Sequence, residues 1–151
     1  MHSAVTAAMM RTATTMTKTY SGVLRYKNFR DRYLYLQLSG KVGFETFGSD
    51  RYLNQMLYNS TEWKEIRRRV IVRDNGKDLA HDDYPISGRV IVHHIDPITR
   101  EDILCRHPKV FDLENLIAVS HYTHEAIHFG DEDLLPKDLV TRKPNDTCPW
   151  R

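Results

Sequence analysis

The chain is poor in cysteine. Its 151 residues include only Cys105 and Cys148, far apart and with no C-x-x-C anywhere. Neither a zinc ribbon nor a disulfide scaffold is therefore indicated, and the usage fits a reducing cytosol. Long apolar runs are also missing, so no transmembrane helix is expected. The leading segment MHSAVTAAMMRTATTMTKTY has a short apolar patch but no basic stretch before it, unlike a secretory signal. Residues 1–16 read instead as a disordered Thr/Ala/Met-rich tail, with Met16 an alternative start. No internal repeat occurs. Neither sign of charge dominates: the net charge is +2, too small to announce nucleic-acid binding by itself.

What is present is an ordinary globular balance, 40% hydrophobic and 28% charged, of a size for one compact domain. Arginines cluster in EIRRRVIVR (Arg67, Arg68, Arg69, Arg73), and acids gather at Asp82, Asp83, Asp131, Glu132 and Asp133. An arginine run of this kind is most often a solvated helix face.

The periodicity changes along the chain. Val23, Tyr26, Phe29, Tyr33 and Leu36 recur at helical spacing and predict one helix, closed by Gly40. Gly43 and Gly48 break the chain, and Ser49 can cap a short helix through DRYLNQMLY. Asn59 with Glu62 resembles a capping box, followed by Trp63, Ile66 and Val70 at helical spacing. Asp74-Asn75-Gly76 supplies the turn chemistry that ends this helix. From Tyr84 to Ile95 the pattern predicts a hairpin: Tyr84-Pro85-Ile86, a Ser87-Gly88 turn, then a strand over Arg89–Ile95. Asp96-Pro97 stops that strand, since proline offers no ladder donor. Thr99 opens a short helix in TREDILCRH. Leu116–Val119 is a second β-branched run, Ser120 caps a helix through HYTHEAIHF, and Gly130 ends it. The segment 136–151 carries three prolines and reads as an extended tail.

The histidines concentrate where these elements meet. His93 and His94 are adjacent at a strand end, and neighbouring strand residues point to opposite faces. His124 and His128 are one helical turn apart on one face, which suits a shared metal. Alone, H-x₃-H or His-His is weak evidence. Together, and in the order strand–HH, D-L-E-N, short strand, helix–H-x₃-H, they form a constellation with few ordinary explanations. His81, His107 and His121 keep the ordinary reading of core or surface histidines, and His121, placed before the helix, is a poorer partner for His128 than His124.

HHIDP, DLENL and HYTHEAIH together resemble the signature of the HNH endonucleases, whose core is the small ββα-metal (His-Me finger) fold. N-x₈-H from Asn115 to His124 and H-x₃-H from His124 to His128 look like the colicin-type branch. STEWKEIRRRVIVRDNG resembles the segment preceding that core in phage-encoded members. The match covers roughly residues 60 to 130; NDTCPWR and the stretch from Thr17 to Tyr58 resemble phage members less specifically.

The resemblance implies an α+β fold with a helical region over 17–58, the nuclease core over 59–135, and extended tails. It places His93, His124 and His128 as ligands of one divalent ion (Mg, Mn, Ni or Zn), His94 as general base, and Asn115 as the brace of the base and its loop. Three neutral imidazoles leave open positions on an ion, as catalytic sites require. His94, near neutral at physiological pH, is suited to accept a proton from water. The implied reaction is single-metal hydrolysis of DNA phosphodiesters, giving 5′-phosphate and 3′-hydroxyl ends, with Arg69, Arg73 and Arg89 as candidate phosphate contacts. Many relatives bind a structural zinc through two C-x-x-C pairs. Ser120 and Thr123 stand in the second pair's place and Lys77 where the first would begin, so no structural zinc is expected. Implied partners are DNA and, for a phage protein in the host cytoplasm, the terminase. A non-catalytic DNA-binding or packaging-accessory protein that keeps the metal core is the alternative.

Overall fold

A computed structural model describes residues 18–38 and 51–137. They form a mixed helical fold around a small two-stranded antiparallel sheet, an α+β arrangement. In chain order the elements are α1 (Tyr20–Val23), α2 (Phe29–Leu36), α3 (Arg51–Asn59), α4 (Thr61–Arg73), β1 (Ile91–His94), α5 (Arg100–Leu104), β2 (Leu116–Val119) and α6 (His121–Phe129). Short 3-10 turns join them. Among the described residues no helix is long and apolar enough to cross a membrane. The expected tail over 1–16, Gly40, Gly43, Gly48, Ser49, Cys148 and nearly all of the expected C-terminal tail lie outside the described residues.

Local chemistry sets the boundaries. The single helix expected over Val23–Leu36 is two, because Asn28 takes extended backbone angles and its side chain accepts from Asp31 N as an N-cap. Helix α4 begins one residue later than its capping-box pattern suggested. Asn59 closes α3, and Ser60 is the cap, accepting from Trp63 N. Thr99 and Asp102 form a reciprocal capping box on α5. Helix α6 runs as expected from the Ser120 cap to Gly130, whose φ of 67° is left-handed. A Cβ at Gly130 would lie 2.9 Å from Leu38 O, so the helix end and the close approach of α2 both require glycine.

The strand pairing differs from the expected hairpin. Strand β1 pairs with β2, not with Tyr84–Ile86, in the register Ile91↔Val119, Val92↔Ala118, His93↔Ile117 and His94↔Leu116. Pro85 forms only an isolated bridge with Lys77, while Ile86 N donates to Gly76 O. The Ser87-Gly88 turn therefore returns the chain toward α4 and does not fold two strands together.

Both faces of this sheet are covered. Ile117 and Val119 point into a core with Val23, Phe29, Tyr33, Leu36, Ala126 and Ile127, contributed by α1, α2 and α6. Leu116 and Ala118 point the other way, into a core with Leu57, Trp63, Val70, Ile98 and Val110. Sheets buried on both faces read as continuous apolar runs, and LIAV in β2 is fully buried at every position.

Among the described residues, no strand lies beside the outer edge of β2. Its backbone groups are met by side chains instead. Leu116 O accepts from Arg73 Nη2 at 2.6 Å, Ala118 N donates to Asp74 Oδ2 at 2.8 Å, and Ser120 N donates to Asp78 Oδ1 at 3.2 Å. Arg73 also donates through Nη1 to Leu113 O at 2.7 Å, pairs through Nε with Asp74 Oδ1 at 2.8 Å, and stacks over the Tyr20 ring. Arg73 was expected to touch DNA phosphate; its guanidinium is instead committed to the interior, because β2 needs a donor where no third strand supplies one.

Truncating Arg73 leaves two carbonyls short of a donor and strips the buried Asp74 carboxylate of its counter-charge. Arg73→Ala is expected to destabilise the protein by about 3 kcal/mol in urea unfolding, with the denaturant slope unchanged. A loss below about 1 kcal/mol would show that the edge is satisfied some other way.

Candidate metal centre

The register of β1 against β2 sorts the two adjacent histidines. His93 lies opposite Ile117 and shares its side of the sheet, toward α6. His94 lies opposite Leu116 and shares the side that faces α4. On α6, the buried positions Thr123, Ala126 and Ile127 seat the helix on the sheet, which turns His124 and His128 to its margin, over His93.

The three histidines meet. The ring of His93 is 5.4 Å from that of His124 and 5.0 Å from that of His128, edge-on in both cases. The Nε2 atoms of His124 and His128 are 3.1 Å apart. One nitrogen from each of the three residues falls within 4.8 Å of the others. Two nitrogens bound 2.0–2.1 Å from one ion sit about 2.9–3.4 Å apart at octahedral to tetrahedral angles, so the helical pair already has chelating spacing. His93 Nε2 is buried and has no hydrogen-bond partner among the described residues. A buried ring nitrogen left unpaired is costly unless something binds it, and an ion among three imidazoles would do so. The residues present thus fit a metal ion.

Burial makes all three rings poor bases and available ligands. Removal from water holds His93 well below the ordinary imidazole range, and charge on His128 or His124 would push it further down. Burial likewise lowers His124 to about 4, with His128 adding to it, and lowers His128. Neutral imidazole is the metal-binding form, so protons compete weakly here near neutral pH.

His94 has different surroundings. Its ring stacks on Trp63 at 5.2 Å with an interplanar angle of 24°, and its Nε2 lies 3.0 Å from Val110 O. A carbonyl only accepts, so Nε2 carries the hydrogen and Nδ1 is left as the basic nitrogen. Burial lowers His94 to about 4, although the Val110 bond works in the opposite sense.

Asn115 sits where it can pin the loop between the strands. Its Oδ1 accepts from Asp96 N at 2.7 Å, while Nδ2 donates to Asp96 O at 3.1 Å and Lys109 O at 3.0 Å. Ile95 N adds a bond to Asn115 O at 2.8 Å. The loop thus leaves β1 immediately after His94 in one fixed direction.

The other predicted residues are scattered. Arg69 and Arg89 are exposed, and neither shares the histidine cluster. His121 is the first residue of α6, not a residue before it; its exposed ring pairs with Glu125 at 3.3 Å and is not among the three clustered histidines. His81 packs against Phe29 and Tyr84, and His107 caps the 3-10 turn Pro108–Val110. The helical spacing of Trp63 does not announce that its ring backs His94. Asp78 was unremarked, although it bonds both Ser120 and Thr123, the two hydroxyl residues at the start of α6.

The histidines also set a pH dependence. A histidine whose folded pKa is depressed stabilises the fold fully above about 6.5, its unfolded value, and that stability is lost as pH falls toward 4. Unfolding the apoprotein at pH 5 is expected to take up about two to four protons at these sites, with the urea midpoint falling steadily below pH 6.5. One equivalent of Ni²⁺ or Zn²⁺ should raise the midpoint at neutral pH. A midpoint flat from pH 7 to 4.5 in the apoprotein would contradict neutral buried rings.

Comparison with protein-family models, with curated proteins and with solved structures found no match, so the chemical reading of the site rests on its own geometry.

Proposed function

We propose that the chain is a metal-dependent endonuclease that hydrolyses phosphodiester bonds in DNA, and that β1, β2 and α6 are its ββα-metal core. The observation that carries this reading is the division of one histidine pair. His93 joins two helix histidines in a ligand cluster, while His94, one residue on, is held by Val110 O with Nδ1 as its basic nitrogen. Asn115 pins the loop that leaves β1 just after His94. A closed structural site needs four ligands, whereas three neutral imidazoles leave positions for substrate.

In this reading His93, His124 and His128 would hold a divalent ion, which would supply stabilisation of the negative charge that develops on the phosphodiester. His94 Nδ1 takes a proton from the water that attacks phosphorus. The bond from phosphorus to the 3′ oxygen breaks, that oxygen takes a proton from solvent water while His94 returns its own to solvent, and the products are a 5′-phosphate and a 3′-hydroxyl. With its pKa near 4, His94 is deprotonated and ready at pH 7, though a weak base. Trp63 and Val110 fix its ring, and Asn115 keeps the loop from swinging over it. Arg69 and Arg89, both exposed, contact backbone phosphates. Three imidazoles without a carboxylate favour Ni²⁺ or Zn²⁺ over Mg²⁺ as the ion.

A second reading is a non-catalytic DNA-binding or packaging-accessory protein, with the terminase as partner. It is favoured by the burial of His94, only 9% exposed beneath Trp63, where a ring can serve packing alone.

His94→Gln separates the two, since glutamine keeps a donor for Val110 O but has no basic nitrogen. With supercoiled plasmid and Mg²⁺, Mn²⁺, Ni²⁺ or Zn²⁺ in turn, the wild type is expected to nick or linearise DNA. The variant should be slower by about 100-fold or more with metal stoichiometry unchanged. Equal inactivity of both with every metal would favour the accessory protein, and undiminished cutting by His94→Gln would remove His94 as the base.

A further inference from the structure

We infer that Asp78 is a positioning residue for the metal centre: its buried carboxylate sets the orientation of α6 and thereby the direction in which His124 and His128 meet His93. The inference rests on the reading of the three histidines as metal ligands.

Asp78 is 2% exposed and belongs to the 3-10 turn Asp78–Ala80, far from α6 in sequence. Its carboxylate takes three bonds from the first turn of α6. Oδ1 accepts from Ser120 N at 3.2 Å, and Oδ2 accepts from Ser120 Oγ at 2.7 Å and Thr123 Oγ1 at 2.5 Å. Ser120 Oγ in turn accepts from Thr123 N as the helix cap. Thr123 is fully buried and adjacent to His124. A bond to its hydroxyl therefore fixes the rotation of α6 about its axis, not only the place where the helix starts.

The turn that carries Asp78 is itself strained and held. Leu79 (φ 52°, ψ 31°) and Ala80 (φ 52°) both occupy the left-handed region, which non-glycine residues avoid. Such strain persists only where the surroundings over-determine it. Here Arg32 Nη1 donates to both Leu79 O and Ala80 O at 2.8 Å, Asp78 N donates to Tyr84 O at 2.8 Å, and the Leu79 side chain is fully buried. The far end of α6 has its own anchors in Tyr33 Oη to Ala126 O and Leu38 N to Ile127 O. The helix is thus fixed at both ends, and the end next to His124 is fixed through one carboxylate.

This knot joins the places where the sequence resemblance would put two cysteine pairs. It links the segment beginning at Lys77 to Ser120 and Thr123 through hydrogen bonds among hydroxyls and a carboxylate.

Thr123→Val keeps the shape of the side chain and removes only the hydroxyl; Thr123→Ser restores it; Asp78→Asn keeps size and removes the charge. Leu57→Ala, in the other core, is the destabilised control. Co²⁺ is titrated into each folded protein, reading affinity and the visible d–d spectrum. Thr123→Val and Asp78→Asn are expected to bind about 10-fold or more weakly with an altered spectrum, while Thr123→Ser and Leu57→Ala match the wild type. Unchanged affinity and spectrum in Thr123→Val and Asp78→Asn would overturn the inference. If the wild type takes up no Co²⁺, the ligand reading itself fails. The positioning claim is then decided by NMR contacts between the His93 and His124 rings, which it requires in the wild type and requires to weaken in Thr123→Val; identical contacts in both would overturn it.

Discussion

Among the described residues strand β2 has only one neighbouring strand, yet it is buried on both faces. Its outer backbone groups are out of reach of bulk water and need partners, since a buried unpaired peptide group costs as much as a lost hydrogen bond. Three consecutive outward positions, Leu116, Ala118 and Ser120, are answered by Arg73, Asp74 and Asp78. The end of α4 and the turn after it thereby act as a third strand made of side chains. This fixes β2 against α4, and since β1 is registered on β2, it fixes the histidine pair as well. Arg73 pairs with Asp74, whereas the Asp78 carboxylate is held by neutral donors, two hydroxyls and an amide, and burial pushes its pKa up.

The burial of both faces explains how adjacent histidines hold different stations. On a strand with one wet face, one of two neighbours would be solvated and the other packed. Here each is packed, but against different helices. His93 looks toward α6 and its two histidines, and His94 toward Trp63 of α4. Separate surroundings give the rings separate chemistry from the same residue type: one nitrogen without a hydrogen-bond partner beside potential ligands, the other ring oriented by a carbonyl. A shift of one residue in β1 would turn His94 toward α6 and His93 toward α4, and so break up the histidine cluster.

Much of the helical frame was legible because local signals are short-range. Ser120, Thr99 and Gly130 act within one turn of their own position, and the α6 boundaries follow from them directly. The cluster of His93, His124 and His128 was legible for a similar reason: H-x₃-H is a property of one helix, and the strand end is marked by Pro97. The pairing of β1 was not. Tyr84-Pro85-Ile86 precedes a Ser-Gly turn and imitates a hairpin, but Pro85 has no amide to lend a ladder, and LIAV offers a fully apolar partner further along. Asp74 and Asp78 were equally hidden. Turn aspartates usually face water, and only the fold reveals that a strand edge lies behind these two. The reassignment of Arg73 has the same origin: in an Arg-rich helix nothing local distinguishes the one guanidinium that turns inward.

The donor set has an electrostatic consequence. Three neutral imidazoles bring no negative charge, so a divalent ion held by them would keep nearly its full charge toward a ligand, whereas a carboxylate-rich site neutralises much of it. Burial is the largest cause that keeps the rings neutral, and for His93 and His124 repulsion between neighbouring imidazoles adds to it. For a phosphodiester this arrangement is favourable twice over: the anion is attracted to the ion, and no carboxylate among the three clustered ligands repels it. The same absence weakens the hold on hard ions such as Mg²⁺, which prefer oxygen. Selectivity for softer ions and attraction for an anion would then be two results of one choice of ligands, which the packing of α6 on the sheet brings together.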